Sequence, residues 1–314
     1  MIYLETFRFP TFETENKFLT DYYRNDYRRE IYFNGNYSGN YPFGILSYHN
    51  FFSIDCEPIT ILYGSNGSGK STALNVIAEV LGIKRKAAYN TTAMMERYCK
   101  MCHFTVNKEW QVEHPAAKLS EFSKMITSDD IFQNILHSRD KNEIRTAKSR
   151  ILTDEILDYK DKPFYEKSPR HINLTSGEGF DEFNKTIKYK RQSVVKTLSE
   201  ELGSLERGYS NGENGLRHLM KEIEEDGLYL LDEPENSMSC KFQQSLAKVI
   251  HLSAMRCGAQ FIIATHSPFL LAMPDAKIYN LDAAPVNIAK WYELENMRIY
   301  FDLFHNAAEQ FNAK

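Results

Sequence analysis

Gly64-Ser65-Asn66-Gly67-Ser68-Gly69-Lys70-Ser71 is the stretch that decides the fold of this chain. It fits the spacing G-x-x-x-x-G-K-[ST]. The residues before it, Ile59-Thr60-Ile61-Leu62-Tyr63, form a short apolar run that reads as a buried strand. The residues after it place Leu74, Ile77, Ala78 and Leu81 at i, i+3, i+4 and i+7, one face of an amphipathic helix. Strand, glycine loop and helix in this order predict a phosphate-binding turn. The glycines let backbone N–H groups turn inward around an anion, and the helix start aims its positive dipole end at the same place. On this reading the stretch from Gly64 to Thr72 surrounds the phosphates of ATP. Lys70 reaches the β and γ phosphates, and the Ser71 hydroxyl holds Mg²⁺. A glycine-rich turn without a ligand is the plainer alternative.

The chain has 314 residues, enough for one large α/β domain with insertions or for two domains. Apolar residues make up 42% and charged residues 25%, which fits a globular protein. A formal net charge of −4 argues against an overall basic coat for nucleic acid, though not against a local basic patch. No stretch approaches ~20 uninterrupted apolar residues, so no membrane span is expected. Met1-Ile2-Tyr3-Leu4-Glu5 lacks the basic start and apolar run of a secretion signal. Five scattered cysteines, an odd number, fit a reducing compartment, and a cytoplasmic location is expected. Cys99-Lys100-Met101-Cys102-His103 matches the haem-attachment string and half a zinc site. Haem attachment needs export, and zinc needs a second ligand pair, whereas Cys56, Cys240 and Cys257 stand alone. Plain thiols are expected here.

Residues 1–50, rich in Tyr, Asn and Phe, predict an edge strand, a helix around 14–28 and a loop. Ile126 to Phe132 reads as a strand end entering a helix, with Ser128 or Asp129 as N-cap. Residues 133–206 are charged and poor in β-branched runs. They predict helices broken near Lys162-Pro163 and Ser168-Pro169, too interrupted for a long coiled coil. From Leu228 the α/β pattern returns. Leu228–Leu231 and Phe261–Ala264 are strand candidates, and Phe242, Leu246, Val249 and Ile250 share a helix face between them. The expected division is a first lobe over 1–132, a helical insertion over 133–208, and the rest of the core over 209–314.

Three further stretches carry chemistry. Gly227-Leu228-Tyr229-Leu230-Leu231-Asp232-Glu233 is an apolar strand ending in two carboxylates, which a parallel sheet would bring beside the phosphate loop. Asp232 then suits the Mg²⁺ shell, and Glu233 suits polarisation of the attacking water. Tyr209-Ser210-Asn211-Gly212-Glu213 precedes a helix with Leu216, Leu219, Met220 and Ile223 on one face. Ser and Gly at a helix start make an anion site or a simple cap. Phe261-Ile262-Ile263-Ala264-Thr265-His266-Ser267-Pro268 is another strand running into a polar loop, with His266 able to donate to a phosphate.

Taken in order, these stretches resemble the phosphate loop, signature, acidic strand and switch histidine of ABC ATPases. Asp232-Glu233-Pro234-Glu235-Asn236-Ser237-Met238-Ser239 and Thr265-His266-Ser267-Pro268 are closer to the SMC/RecF-like branch than to transporter subunits. The chain is most similar to small stand-alone bacterial AAA-family ATPases over 57–82, 126–135 and 207–303. The resemblance implies an α/β, ABC-type P-loop NTPase fold: a mainly parallel sheet, an N-terminal antiparallel β portion and an inserted helical subdomain. It implies catalysis by Glu233 and His266, and a metal held by Ser71 and Asp232. It also implies a head-to-tail homodimer, or a higher assembly of dimers, in which Ser210, Asn211, Gly212 and Glu213 complete the partner's site. The glutamine loop has no secure equivalent; Ser128, Asp129 and Gln133 are candidates, with Gln192 as another. Slow ATP hydrolysis by a switch or clamp is implied. Its output would be a sensor or regulator role in phage defence or a toxin system, with an effector on a separate chain. DNA repair or DNA binding is the alternative, and a transporter subunit is disfavoured. The acid-free stretch 183–199, with Lys185, Lys188, Tyr189, Lys190, Arg191 and Lys196, is the candidate for contacting nucleic acid, or else a solvated helix face.

Overall fold

A computed structural model describes residues 2–24, 39–161, 211–223 and 226–312, with Lys185, Lys188, Tyr189, Arg191, Lys196 and Glu200 from the intervening stretch. The chain divides into two compact units, residues 1–132 with 211–314, and residues 133–210.

The first unit is built on a six-stranded sheet. Its strands are β3 (Ile59–Tyr63), β5 (Ser123–Thr127), β6 (Leu228–Asp232), β7 (Gln260–Ala264), β8 (Lys277–Asn280) and β9 (Asn287–Ala289). They lie in the order β5-β6-β7-β3-β8-β9, parallel except for β9. Every residue of β3 and β7 is buried, as the unbroken apolar runs require of parallel strands covered on both faces. β1 (Leu4–Arg8) pairs antiparallel with β2 (Ser53–Asp55) and with β4 (His103–Val106), which gives the expected antiparallel portion. Gln260, fully buried at the start of β7, stitches the two sheets together. Its Oε1 accepts the amides of Tyr3 and Leu4 at 2.8 and 2.9 Å, and its Nε2 donates to Leu4 O at 2.9 Å. An α/β fold with a mostly parallel sheet is thus confirmed.

The helices that matter for the site are α1 (Phe12–Tyr22), α2 (Ile45–Tyr48), α3 (Lys70–Leu81), α4 (Ser128–Asp161), α5 (Asn211–Glu222), α6 (Cys240–Arg256) and α7 (Glu295–Asn306). Leu74, Ile77, Ala78 and Leu81 of α3 are all buried, as their spacing predicts. Leu246 and Ile250 of α6 are buried, while Phe242 and Val249 are half-buried.

Several local expectations need correction. α1 covers 12–22 rather than 14–28, capped by Thr11 Oγ1, which accepts the Thr14 amide at 3.3 Å; residues 25–28 lie outside the described residues. The cap of α4 is neither Ser128 nor Asp129 but Thr127. Its Oγ1 accepts the Asp130 amide at 3.3 Å, while Asp130 Oδ2 accepts the Thr127 amide at 2.9 Å, a reciprocal capping box. α4 is helical over its 34 residues to Asp161, and the expected break near Lys162-Pro163 lies outside the described residues. Met220 is 51% exposed and Ile223 half-buried, whereas Leu216 and Leu219 are buried. The expected break at Ser168-Pro169 falls outside the described residues.

In the second unit Tyr189 and Ile156 are buried against one another with Leu152. Lys185 Nζ lies 2.6 Å from Glu155 Oε1, and Lys188 Nζ lies 3.5 Å from Glu200 Oε2. Two of the lysines expected to track phosphates are therefore ion-paired, and the interleaved Tyr189 is a core residue. Arg191 and Lys196 are exposed; Lys190 and Gln192 lie outside the described residues.

Candidate functional site

The strand order sets the site. β6, β7 and β3 are neighbours, so Asp232, Thr265 and Gly64 leave the same edge of the sheet beside one another. The loop from Gly64 to Gly69 turns through left-handed backbone at Gly67 (φ 87°) and Gly69 (φ 95°), conformations that only glycine adopts without strain. Gly69 is also closely packed: an added Cβ would lie 3.0 Å from Leu46 Cδ2 and 3.2 Å from Ile45 Cγ2. α2 thus forms the wall against which the loop closes.

Lys70 is buried, and its Nζ donates to Gly64 O at 2.6 Å and Ser65 O at 3.1 Å. An ammonium has three donors, so one remains for a ligand. Burial pulls the Lys70 pKa below its ordinary value, while Glu233, Asp282, Asp232 and Glu235 oppose the shift. Ser71 Oγ donates to Asp232 Oδ1 at 2.9 Å. Burial, reinforced by Glu233 and opposed by the Ser71 hydrogen bond, Arg85 and Lys70, pushes the Asp232 carboxyl up to about 6. Glu233 takes a left-handed φ of 47°, rare for a side-chain-bearing residue, and its amide is fixed on Ala264 O at 2.9 Å. Its carboxylate accepts Asn236 Nδ2 at 3.0 Å and stands 3.7 Å from His266 Nε2, too far for a hydrogen bond. Burial first, then Lys70, lowers the His266 pKa, which favours the neutral ring.

These residues fit a nucleotide triphosphate and a hard divalent cation. Ser68 Oγ and His266 Nε2 are buried without a hydrogen-bond partner, and Lys70 has a donor to spare, so three polar groups await an acceptor. Ser71 and Asp232 bring a hydroxyl and a carboxylate together, which are ligands for Mg²⁺. Among the described residues no cluster of three or more His, Cys, Asp or Glu side chains could hold a metal.

Three residues at the site escaped the sequence reading. The buried Glu235 accepts from Thr265 Oγ1 at 2.6 Å, the His266 amide at 2.8 Å and the Ser267 amide at 3.1 Å, and so shapes the loop that carries His266. Asp282 accepts the Ser65 amide at 2.7 Å and Ser65 Oγ at 2.7 Å. Glu15, buried in α1, accepts the Gly44 amide at 2.7 Å and Ser47 Oγ at 2.8 Å, and so holds α2.

Of the other sequence candidates, Asn211 and Gly212 open α5, Glu213 pairs with Arg217 at 3.4 Å, and Ser210 lies outside the described residues. Ser128 and Asp129 begin α4 directly after Thr127, which is the register partner of Asp232. Gln133 lies on the same helix but in the second unit. Asn66 and Thr72 stand in the loop and the first turn of α3. Cys99 and Cys102 are free thiols, and burial raises the pKa of both, Cys99 to about 12. Among the described residues no helix is long and apolar enough to cross a membrane.

Residues 216–272 match the family model described as "AAA domain, putative AbiEii toxin, Type IV TA system". Over 188 residues the chain is 27% identical to "Probable exonuclease subunit 2" of Escherichia phage T5, covering 54% of this chain and 31% of that protein. The chain therefore spans about a third of that relative's length. A Pyrococcus furiosus Smc head domain with an extended coiled coil, bound to the C-terminal domain of ScpA, aligns at 14% identity with a TM-score of 0.37. The alignment covers 80% of this chain and 94% of that one. A nucleotide-free ATP-binding cassette from an ABC transporter aligns at 16% identity with a TM-score of 0.33, over 79% and 87%. The phosphate loop, the mostly parallel sheet and the match over residues 216–272 make the chain similar to AAA/ABC-type P-loop ATPases.

Proposed function

We propose that the chain hydrolyses ATP as a switch, closing head to tail with a second copy around two nucleotides and controlling an effector carried on another chain. The observation that carries this reading is the convergence of Lys70, the Ser71–Asp232 pair, Glu233 and His266 at one sheet edge. Inward-facing amides and Lys70 would bind the phosphates, and Ser71 with Asp232 would hold Mg²⁺. Magnesium, when bound, supplies charge neutralisation between the phosphates. Glu233 orients and polarises the water that attacks the γ-phosphorus; the bond to the β-bridging oxygen breaks, giving ADP and phosphate. His266, neutral and backed by Glu235, donates to the γ-phosphate and so registers its loss. Ser210, Asn211, Gly212 and Glu213 would serve the opposite copy, and Ser128 or Asp129 would report the site's state to α4. A regulatory role in phage defence or a toxin system draws support from the matched family description. The phage exonuclease-subunit relative supports a nuclease as the effector class.

Glu233→Gln tests this reading. Phosphate and metal contacts remain while water activation is lost, so ATP with Mg²⁺ is expected to trap a dimer measurable by light scattering. A trapped variant that stays monomeric, with or without its effector chain, removes the sandwich model. The same relative supports a second reading, direct action on nucleic acid. It predicts DNA binding by this variant that requires ATP and falls steeply with salt. The ion pairs at Lys185 and Lys188 weigh against that reading.

A further inference from the structure

We infer that Tyr63 is a positioning residue that ties His266 to the first turn of α7, so that the nucleotide state is read out at that helix. The inference rests on the reading of His266 as a phosphate sensor. Tyr63 ends β3, directly precedes Gly64 and is buried. Its backbone is clamped. The Tyr63 carbonyl accepts the Leu281 amide at 2.8 Å, and the Leu62 carbonyl before it accepts the Thr265 amide at 3.3 Å. The two ends of the side chain then meet different neighbours. The ring packs edge to face on His266, with centroids 6.4 Å apart and planes at 68°, the arrangement of a favourable aromatic pair. The hydroxyl accepts the Asn296 amide at 3.4 Å.

That second contact matters because α7 is held at one end. Leu294 precedes the helix and offers no side-chain cap. Its carbonyl takes the amides of Met297 and Arg298, at 3.0 Å each, but not that of Asn296. Tyr63, 233 residues away in sequence, supplies the acceptor for this orphan donor of the helix start. Leu294 and Met297 are buried and Asn296 is half-buried, whereas every residue from Arg298 to Asn306 is exposed. A helix of 12 residues is marginal in water without packing, so α7 rests on its first turn, and the Tyr63 hydroxyl is part of that seat. At the other end of the ring, His266 Nε2 is buried without a hydrogen-bond partner. An imidazole that turns to donate to a γ-phosphate changes its contact with the Tyr63 edge. The strand fixes the root of the side chain, so the displacement passes along the ring to the hydroxyl and the α7 amide, a chain of packed groups.

The test is NMR on the full chain, with and without a non-hydrolysable ATP analogue and Mg²⁺, following the His266 ring signals and hydrogen exchange at the Asn296 amide. In the wild type the nucleotide should move the His266 signals and change Asn296 exchange by at least about threefold. Tyr63→Phe keeps the ring and removes the hydroxyl. Asn296 exchange should then be about fivefold faster without nucleotide and no longer respond to it, while His266 still responds. Tyr63→Leu removes the ring edge as well. It should admit water beside His266 and let that imidazole titrate closer to its ordinary 6.5, which Tyr63→Phe should not. A purely structural role would not separate the two variants in this way. His266 signals that ignore the nucleotide remove the sensor reading, and this inference with it. A responsive His266 beside an Asn296 amide that ignores the nucleotide, or that still responds in Tyr63→Phe, overturns the relay alone.

Discussion

The Glu235 carboxylate accepts the backbone amide of His266 at 2.8 Å, 31 residues away in sequence, and the same oxygen takes Thr265 Oγ1 and the Ser267 amide. A single buried carboxylate oxygen therefore sets the path of the chain that presents the candidate switch histidine. Burial raises the Glu235 pKa, while Thr265 and the loop amides pull it back.

Glu235→Ala strips three donors of their acceptor in a buried site and is expected to destabilise the fold by about 3 kcal/mol. Hydrolysis should fall by at least about tenfold because His266 loses its fixed backbone, while ATP binding at Lys70 persists. Glu235→Gln keeps one acceptor oxygen and should recover most of the stability. Thermal unfolding and steady-state ATPase assays on both variants check this; an alanine variant with the wild-type rate would detach Glu235 from the switch loop.

Gly67 and Gly69 share a left-handed φ but differ in surroundings. A Cβ at Gly67 meets nothing within 4 Å, whereas at Gly69 it meets Leu46 and Ile45. Gly67→Ala carries only the backbone strain, ~1–2 kcal/mol, and should weaken ATP binding by about tenfold. Gly69→Ala adds overpacking against α2 and should weaken it by about 100-fold or more. Equal losses in a nucleotide titration would mean that α2 gives way and is no wall.

Glu15 supplies the pH test. Burial, its first cause, raises the folded carboxyl above its ordinary 4.5, against hydrogen bonds from Gly44, Ser47 and Tyr98 that lower it. A raised acid means that the folded state holds the proton more tightly than the unfolded chain. The group's stabilising contribution is thus present below 4.5 and is lost as pH climbs through the folded pKa. Glu15→Gln, which keeps an acceptor for Gly44 and Ser47, should flatten that part of the stability–pH curve. A variant curve parallel to wild type above pH 4.5 would assign the slope to another group.

Local pattern made much of this legible. β3, the glycine loop and α3 are contiguous, so apolar runs and periodicity identified them, and the apolar runs before Asp232 and His266 did the same for β6 and β7. What escaped were partners brought together by the sheet order. Asp282 bonds Ser65 across 217 residues, and nothing around Asp282 announces it. The Thr127 cap was readable, because Thr127-x-x-Asp130 is the reciprocal spacing of a capping box, but the adjacent Ser128 and Asp129 competed for the role.

Asp282 raises a question of sign. It accepts the Ser65 amide and hydroxyl at 2.7 Å each and so braces the first residue of the loop after Gly64. It is also a negative charge close enough to influence Lys70 and His266, where phosphate charge would arrive. The two effects oppose each other: the brace favours a preformed loop, and the charge disfavours an anion. Asp282 is exposed, so water and salt screen the charge, whereas the hydrogen bonds act at contact. The brace should therefore win. Asp282→Ala is expected to weaken ATP binding by about fivefold, and Asp282→Asn, which keeps an acceptor, by less than about twofold. Titrations at low and high salt separate the terms, since only the charge effect is screened. If Asp282→Ala binds ATP more tightly at low salt, the charge dominates and Asp282 opposes the nucleotide instead of holding its loop.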